Sequence, residues 1–396
     1  MKTLILNVCL FLVCLPLAAQ DFWVPLELPN PNTGISCMKS YSQHEFLVGT
    51  GLGLYKTTDN GETWILTNFE NYVTSIDINY SNGDIFIGNH LGLFYSNDSG
   101  NTWNSTVYQE NANAIFLSKE NYILIGYWGG IAKTNYTGTN VDVILSVNSG
   151  CLVTSFAQNS AGVLFAGTVN FFGNSGVYRS FDGGNTWEHC WSTQNYVFAI
   201  TVDKFGNIYA GGHGLWCSND LGITWQLLNG TVAVFNIVIT AENHIYIGCS
   251  SDYYPPGGVY CSFDNGTTWD FISSGLTNRY VENGMALSAD GYLFAGCRGE
   301  YGHALFRTTT PVLTSIQIEG ENEQLLVFPN PVRSLITYSM GQSFAGKPAQ
   351  LKIFNLTGEE LITSNLQIES INSLDISYLL SGTYIFCLQL KKQVFN

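Results

Sequence analysis

Five octets of nearly one form recur along this chain: TTDNGETW (57–64), SNDSGNTW (96–103), SFDGGNTW (180–187), SNDLGITW (218–225) and SFDNGTTW (262–269). Repetition at a near-fixed interval constrains a fold more than any single motif, because each repeat must be one unit that relies on its neighbours for burial. In each octet the Asp (Asp59, Asp98, Asp182, Asp220, Asp264) suits a turn whose N–H groups need an acceptor. The Gly suits a left-handed conformation, and the leading Ser or Thr hydroxyl closes the loop from the strand side. The octet therefore predicts a hairpin, after which Trp64, Trp103, Trp187, Trp225 or Trp269 opens the returning strand and puts an apolar body between units. These residues read as structural, since five copies spread along a chain cannot be one active site.

Spacing sets the number of units. Asp59 to Asp98 is 39 residues, Asp182 to Asp220 is 38 and Asp220 to Asp264 is 44, while the 84 from Asp98 to Asp182 is two periods of 42. The copy missing from that gap lies at KTNYTGTN (133–140), where Tyr136 replaces Asp and Gly138 remains. A last, weak copy at LFRTTTP (305–311) brings the count to seven. Each unit reads as three short strands before its octet and a fourth after it, as in VFAITVDKFGNIYAGGHGLWCSND (197–220). Seven four-stranded units of about 40 residues predict an all-β, seven-bladed β-propeller over 21–312. The seventh unit lacks a Trp strand, and DFWVPLELPNP (21–31) near the chain start resembles the missing piece, so Trp23 is expected to latch the ring.

These octets resemble Asp-boxes, the BNR repeats of sialidases, sortilin-type receptors, xyloglucanases and photosystem II assembly-factor-like propellers. The resemblance covers roughly 21–312 and marks the fold; such families share turns and not chemistry. Beyond Pro311, residues 313–325 read as a linker and 326–396 as a small Ig-like β-sandwich. Within it, the PNP after an apolar strand, IFNLTGEEL and DIS-x-L-x-x-GTY resemble the type A C-terminal sorting domain of the type IX secretion system of Bacteroidetes. That resemblance implies export across the outer membrane, with the secretion machinery as partner and a secreted or cell-surface location. Residues 1–20, with Lys2, an apolar run and the small Ala18 and Ala19, read as a removable signal peptide. The mature chain is then expected to have no transmembrane segment.

Fifteen Lys plus Arg against 30 Asp plus Glu give a net charge of −15, which disfavours nucleic acid and anionic membranes as partners. Eight cysteines follow the leader without C-x-x-C or Cys/His spacing, so no metal and no cofactor are expected, and small buried thiols suit strands.

A ligand is expected on the propeller face opposite the octets, where the second-to-third strand loops and the links between blades emerge. The loops bring His90; Trp128; Phe171 and Phe172; His213; Asp252, Tyr253 and Tyr254; and Arg298, Glu300, Tyr301 and His303. The links add Glu70, Tyr72, Glu110, Trp191, Gln194, Tyr196, Arg279, Tyr280 and Glu282. Aromatic rings mixed with amides, carboxylates and imidazoles suit a glycan or a peptide. A sialidase would need three Arg around the substrate carboxylate. Of Arg179, Arg279, Arg298 and Arg307, only Arg279 and Arg298 are expected on that face. The sequence thus favours a non-catalytic glycan- or protein-binding module. The alternative is a glycoside hydrolase working through a pair among Glu70, Glu110, Asp252, Glu282 and Glu300.

Overall fold

The short apolar runs between turns become short strands that pair with their nearest neighbours in sequence. The computed structural model describes residues 7–14, 21–30, 33–42, 44–146, 150–170, 175–193, 196–251, 256–282, 284–298, 304–312, 314–317, 324–328, 335–340, 346–355, 359–369, 372–376, 379 and 382–390. Blade 1 consists of Ile35–Ser40, Phe46–Thr50, Gly53–Thr57 and Ile65–Leu66, antiparallel and in that spatial order. Blades 2, 3 and 4 repeat the order, starting from Ser75–Asn79, Ala114–Leu117 and Cys151–Gln158.

In blades 5 and 6 the connections are so short that strands run on. Ile208–Ser218 supplies the second and third strands of blade 5, and Gln226–Ile239 supplies its fourth strand and the first of blade 6. The two blades thereby form one six-stranded sheet. Blade 7 is Met285–Leu287, Leu293–Gly296 and Leu305–Thr308, with Trp23–Leu26 from the other end of the chain as its outer strand. Trp23 is 1% exposed; its amide donates to the Ser274 carbonyl at 2.9 Å and its indole N–H to Ile272 at 2.6 Å, both in the blade 6 to 7 region.

The apolar core lies at the seams. One buried cluster joins Leu47 and Leu54 of blade 1 to Val73, Ile76, Ile85 and Ile87 of blade 2, and another joins Phe165 and Val177 of blade 4 to Val197, Ile200 and Ile208 of blade 5. The seams close because each second strand carries a Gly where the next blade approaches. A Cβ on Gly49, Gly126, Gly167, Gly211 or Gly248 would sit 2.7–2.8 Å from a methyl of Val73, Val153, Val197, Val234 or Val281 on the following blade. No larger residue fits there without moving the next inner strand.

The octets make five copies of one turn. In the first, the Thr57 hydroxyl donates to Asp59 at 2.7 Å and accepts from the Gly61 amide at 2.9 Å. The same Asp59 Oδ1 accepts the Thr63 amide at 2.9 Å, Oδ2 accepts the Thr63 hydroxyl at 2.6 Å, and the Trp64 indole donates to the Gly61 carbonyl at 3.1 Å. The turn needs two successive left-handed residues, Asn60 (φ 58°) and Gly61 (φ 87°), the second of which is the Gly common to all five octets. The degenerate copy in blade 3 replaces this cage. Asn135 accepts the Thr139 amide at 2.9 Å, and Tyr136 turns back to blade 2, where its hydroxyl meets Asn79 at 3.0 Å and Asp84 at 2.5 Å.

After the propeller, two four-stranded sheets form a sandwich whose buried residues include Ile336, Leu351, Ile353 and Phe386, with Tyr338 and Phe386 rings 5.4 Å apart. Two segments outside 326–396 also pair with strands of the sandwich. Thr314–Gln317, read as linker, pairs with Gln324–Phe328 as the edge strand of the first sheet. Asn7–Cys14, read as part of the leader, lies antiparallel along Gly382–Leu390 in the second.

Two outcomes test this account. Trp23→Ala, which empties a fully buried latch, should cost about 3–5 kcal/mol in chemical denaturation; a loss below about 1 kcal/mol would mean that the ring is closed by other contacts. The second concerns acid. Hydrogen bonds from the Thr side chain and amide hold Asp98, Asp182 and Asp220 down to about 2. At Asp59 and Asp264, burial pushes upward but the same bonds outweigh it, so both are also lowered. Carboxyls depressed in the folded state stabilise it fully above their unfolded value near 3.9, and lose that contribution as pH falls towards about 2. The urea midpoint should be level from pH 7 to 5 and fall below pH 4. The D98N/D182N/D220N variant should start lower and decline less; an unchanged acid slope would rule out the cages as its source.

Candidate functional site

Antiparallel alternation places the octets and the first-to-second strand turns at one end of every blade, and the second-to-third strand turns and the links at the other. On the octet end, cations in the strand before the octet tie blades 3, 4 and 7 each to the next. Lys133 donates to the Gly183 carbonyl at 2.8 Å and to Asn185 at 2.9 Å. Arg179 reaches the Leu221 carbonyl at 2.7 Å, and Arg307 reaches Asn60 at 2.5 Å and Glu62 at 2.9 Å. Arg179 and Arg307 are therefore seam fasteners on the octet side, where the sequence placed them.

The opposite end is shaped in blades 1, 4, 5 and 6 by a bulge near the start of the inner strand. Pairing skips a residue between Ile35 and Cys37, Val153 and Ser155, Val197 and Ala199, and Val234 and Asn236. Such bulges re-aim one side chain per strand. In blades 1 and 4 the extra residues are Ser36 and Thr154, whose hydroxyls donate to the Val73 and Val197 carbonyls of the next blade, the latter at 2.7 Å. In blades 5 and 6 they are Phe198 and Phe235, whose rings stack at 4.3 Å and 13°. Tyr196 lies 5.7 Å from Phe198 and 6.1 Å from His213, so four rings gather where a continuous strand replaces the link between blades.

The structure thus brings Tyr196 and His213 together and adds Phe198 and Phe235, which the loop-based reading missed. Aligning the inner strands on their buried Val would have revealed two Phe where blades 2 and 4 carry Thr74 and Thr154. A second expected pair, Tyr72 and His90, has ring centroids 6.4 Å apart in blade 2. Tyr280 and Arg298 hold the equivalent places in blade 7, where the Arg298 amide donates to the Tyr280 carbonyl at 3.0 Å. Arg279 is exposed, with its guanidinium 5.7 Å from the Phe271 ring, and Trp128 is exposed on the blade 3 turn. Trp191 is not on a link: it belongs to the strand Glu188–Thr193 and stacks on Trp225 at 4.5 Å, filling the seam between blades 4 and 5. Phe171, Phe172, Gln194, Asp252, Tyr253, Tyr254, Glu300, Tyr301 and His303 lie outside the described residues.

Of the described carboxylates, Glu70, Glu110 and Glu282 sit on three different links. Burial pushes the thiols of Cys190 and Cys217 up to about 11 and that of Cys37 up to about 12, which keeps them protonated and poorly nucleophilic.

Residues 326–395 match the family model described as the secretion system C-terminal sorting domain. No curated protein matches the chain. Among solved structures, YCF48 bound to D1 peptide superposes with a TM-score of 0.58 at 17% identity, over 75% of this chain and 98% of that one. An extracellular domain of B. thetaiotaomicron assigned to the one-component system BT4673 gives 0.61 at 13% identity, over 82% of this chain. PorZ, a surface component of the type-IX secretion system of Porphyromonas gingivalis, gives 0.58 at 14%, over 93%. The chain spans only 45% and 61% of the lengths of these last two. At such identities the likeness is one of fold. The chain is a seven-bladed β-propeller joined to a secretion-system C-terminal sorting domain, which marks it for export to the cell surface or the medium.

Proposed function

We propose that this is an exported, non-catalytic binding module, whose propeller holds a glycan or protein ligand at the end opposite the octets while the sorting domain engages the type IX secretion machinery. Residues 1–20 are removed in the first export step, so the pairing of Asn7–Cys14 with Gly382–Leu390 belongs to the unprocessed chain. The observation that carries the reading is the ring cluster of blades 5 and 6: a bulge that elsewhere turns a hydroxyl into a seam hydrogen bond here presents Phe198 and Phe235 beside Tyr196 and His213. Half-buried rings ringed by polar groups bind apolar ligand faces while the polar groups fix orientation.

The test is a glycan array and a set of surface-protein extracts probed with the full chain, run beside a hydrolysis screen. Retention without turnover, weakened about tenfold or more by F198A/F235A, is the expected result. Turnover of a glycan would replace this reading with the glycoside hydrolase one, and retention indifferent to the two Phe would move the site elsewhere.

A further inference from the structure

With residues 1–20 gone, the two sheets of the sandwich have four edge strands, and three of them are guarded. Thr314–Gln317 and Asn372–Asp375, at the two sides of the first sheet, are only four residues long. Glu360–Gln367, at one side of the second, has a bulge where pairing skips Leu361, and it carries Glu360 in an ion pair with Lys352. Short length, bulges and charge are the devices that keep a sheet edge from accepting another strand. The fourth edge has none of them. Gly382–Leu390 is nine residues, GTYIFCLQL, without charge or Pro. On one side it pairs in unbroken register with Pro348–Asn355, from Leu390 opposite Ala349 to Tyr384 opposite Asn355, and its Phe386 and Leu388 are buried. On the other side Asn7–Cys14 lies antiparallel over eight consecutive positions, from Asn7 opposite Gln389 to Cys14 opposite Gly382, again without a bulge. That segment, NVCLFLVC, is as free of charge as the strand it covers.

Loss of the leader takes this strand away, and among the described residues no other strand borders the edge. In an antiparallel pair every second residue exchanges both backbone bonds with its partner, so about four residues lose amide and carbonyl partners together. A long, uncharged, unbroken edge is a template for another strand: main-chain bonds supply affinity and alternate side chains supply selection. We infer that Gly382–Leu390 is a strand-accepting edge by which the exported chain is gripped, and that a segment of a partner protein, extended, antiparallel and uncharged over about eight residues, takes the place Asn7–Cys14 vacates. A second copy offers the same kind of edge, but the net charge of −15 on each chain opposes self-pairing. The inference rests on residues 1–20 being removed, and it orders the two export steps: while the leader is attached the edge is filled, so the grip follows cleavage.

The experiment follows hydrogen exchange along 382–390 by mass spectrometry, in the full chain with its leader and in the chain 21–396, which keeps every described strand except Asn7–Cys14. The probe is a synthetic peptide of residues 7–14 with Cys9→Ser and Cys14→Ser. In the full chain the segment should exchange slowly and the peptide should not be retained. In 21–396 roughly half of its amides should exchange at least about tenfold faster. The peptide should restore their protection, whereas its L10P/L12P version, which cannot complete the ladder, should not. Slow exchange in monomeric 21–396 without peptide, or equal protection by the L10P/L12P peptide, would overturn the inference. Protection that returns with rising protein concentration alone would assign the edge to a second copy and overturn it too. N-terminal sequencing of the exported protein separates the two layers. A chain exported with residues 1–20 attached defeats the leader reading itself; an edge that stays closed in 21–396, when the exported chain does begin at 21, defeats this inference alone.

Discussion

Four short antiparallel strands have two faces and too few residues to bury either, so every blade depends on a neighbour at each side. The contact that makes this possible is the approach of a Val-bearing inner strand onto a Gly in the second strand of the blade before it, with room for no Cβ between them. From that closeness follow the seam-centred core, the position of the octet Trp against the preceding blade, and the need for a strand from the far end of the chain to finish the last sheet. The octet turn is secondary to it: a compact hairpin that lets the fourth strand return within the narrow wedge each blade is allotted.

The two ends of the ring have been given different work by the same repeat. At the octet end, carboxylates, hydroxyls and cations are consumed in holding turns and blades, as in the Lys133, Arg179 and Arg307 ties. At the other end the repeat leaves slots that can be filled without harm to the fold. The bulge position takes Ser36 or Thr154 where a seam bond is wanted and Phe198 or Phe235 where it is not. Binding chemistry is thereby varied on a scaffold whose stability is settled elsewhere.

How much of this was legible in the sequence follows from how local each feature is. The hairpins, the blade number and the latching role of Trp23 could be read because they depend on residue types at fixed spacing. The tail was legible because its motifs come in order over a short span, and the match over 326–395 covers the same stretch. The ring cluster is half legible: Tyr196 and His213 fall between the expected strands, where binding residues concentrate, although His213 lies in the continuous strand Ile208–Ser218, whereas Phe198 and Phe235 depend on a one-residue slip of pairing that no local pattern announces. Trp191 was assigned to a link because the end of a strand is poorly marked by composition. Tyr136 read as decay; its hydroxyl in fact crosses to Asn79 and Asp84, so the lost turn cage is offset by a bond between blades.

The merging of blades 5 and 6 into one sheet has a mechanical consequence. Elsewhere, neighbouring blades meet through side chains, a covalent link and single backbone bonds such as that from the Val73 amide to the Thr50 carbonyl. Here a single extended segment, Gln226–Ile239, belongs to both, so opening that joint would shear backbone hydrogen bonds along its length. The stacked rings of Phe198 and Phe235 straddle this stiff hinge, and whatever settles on them meets a platform whose spacing is set by main-chain geometry rather than by the breathing of the ring.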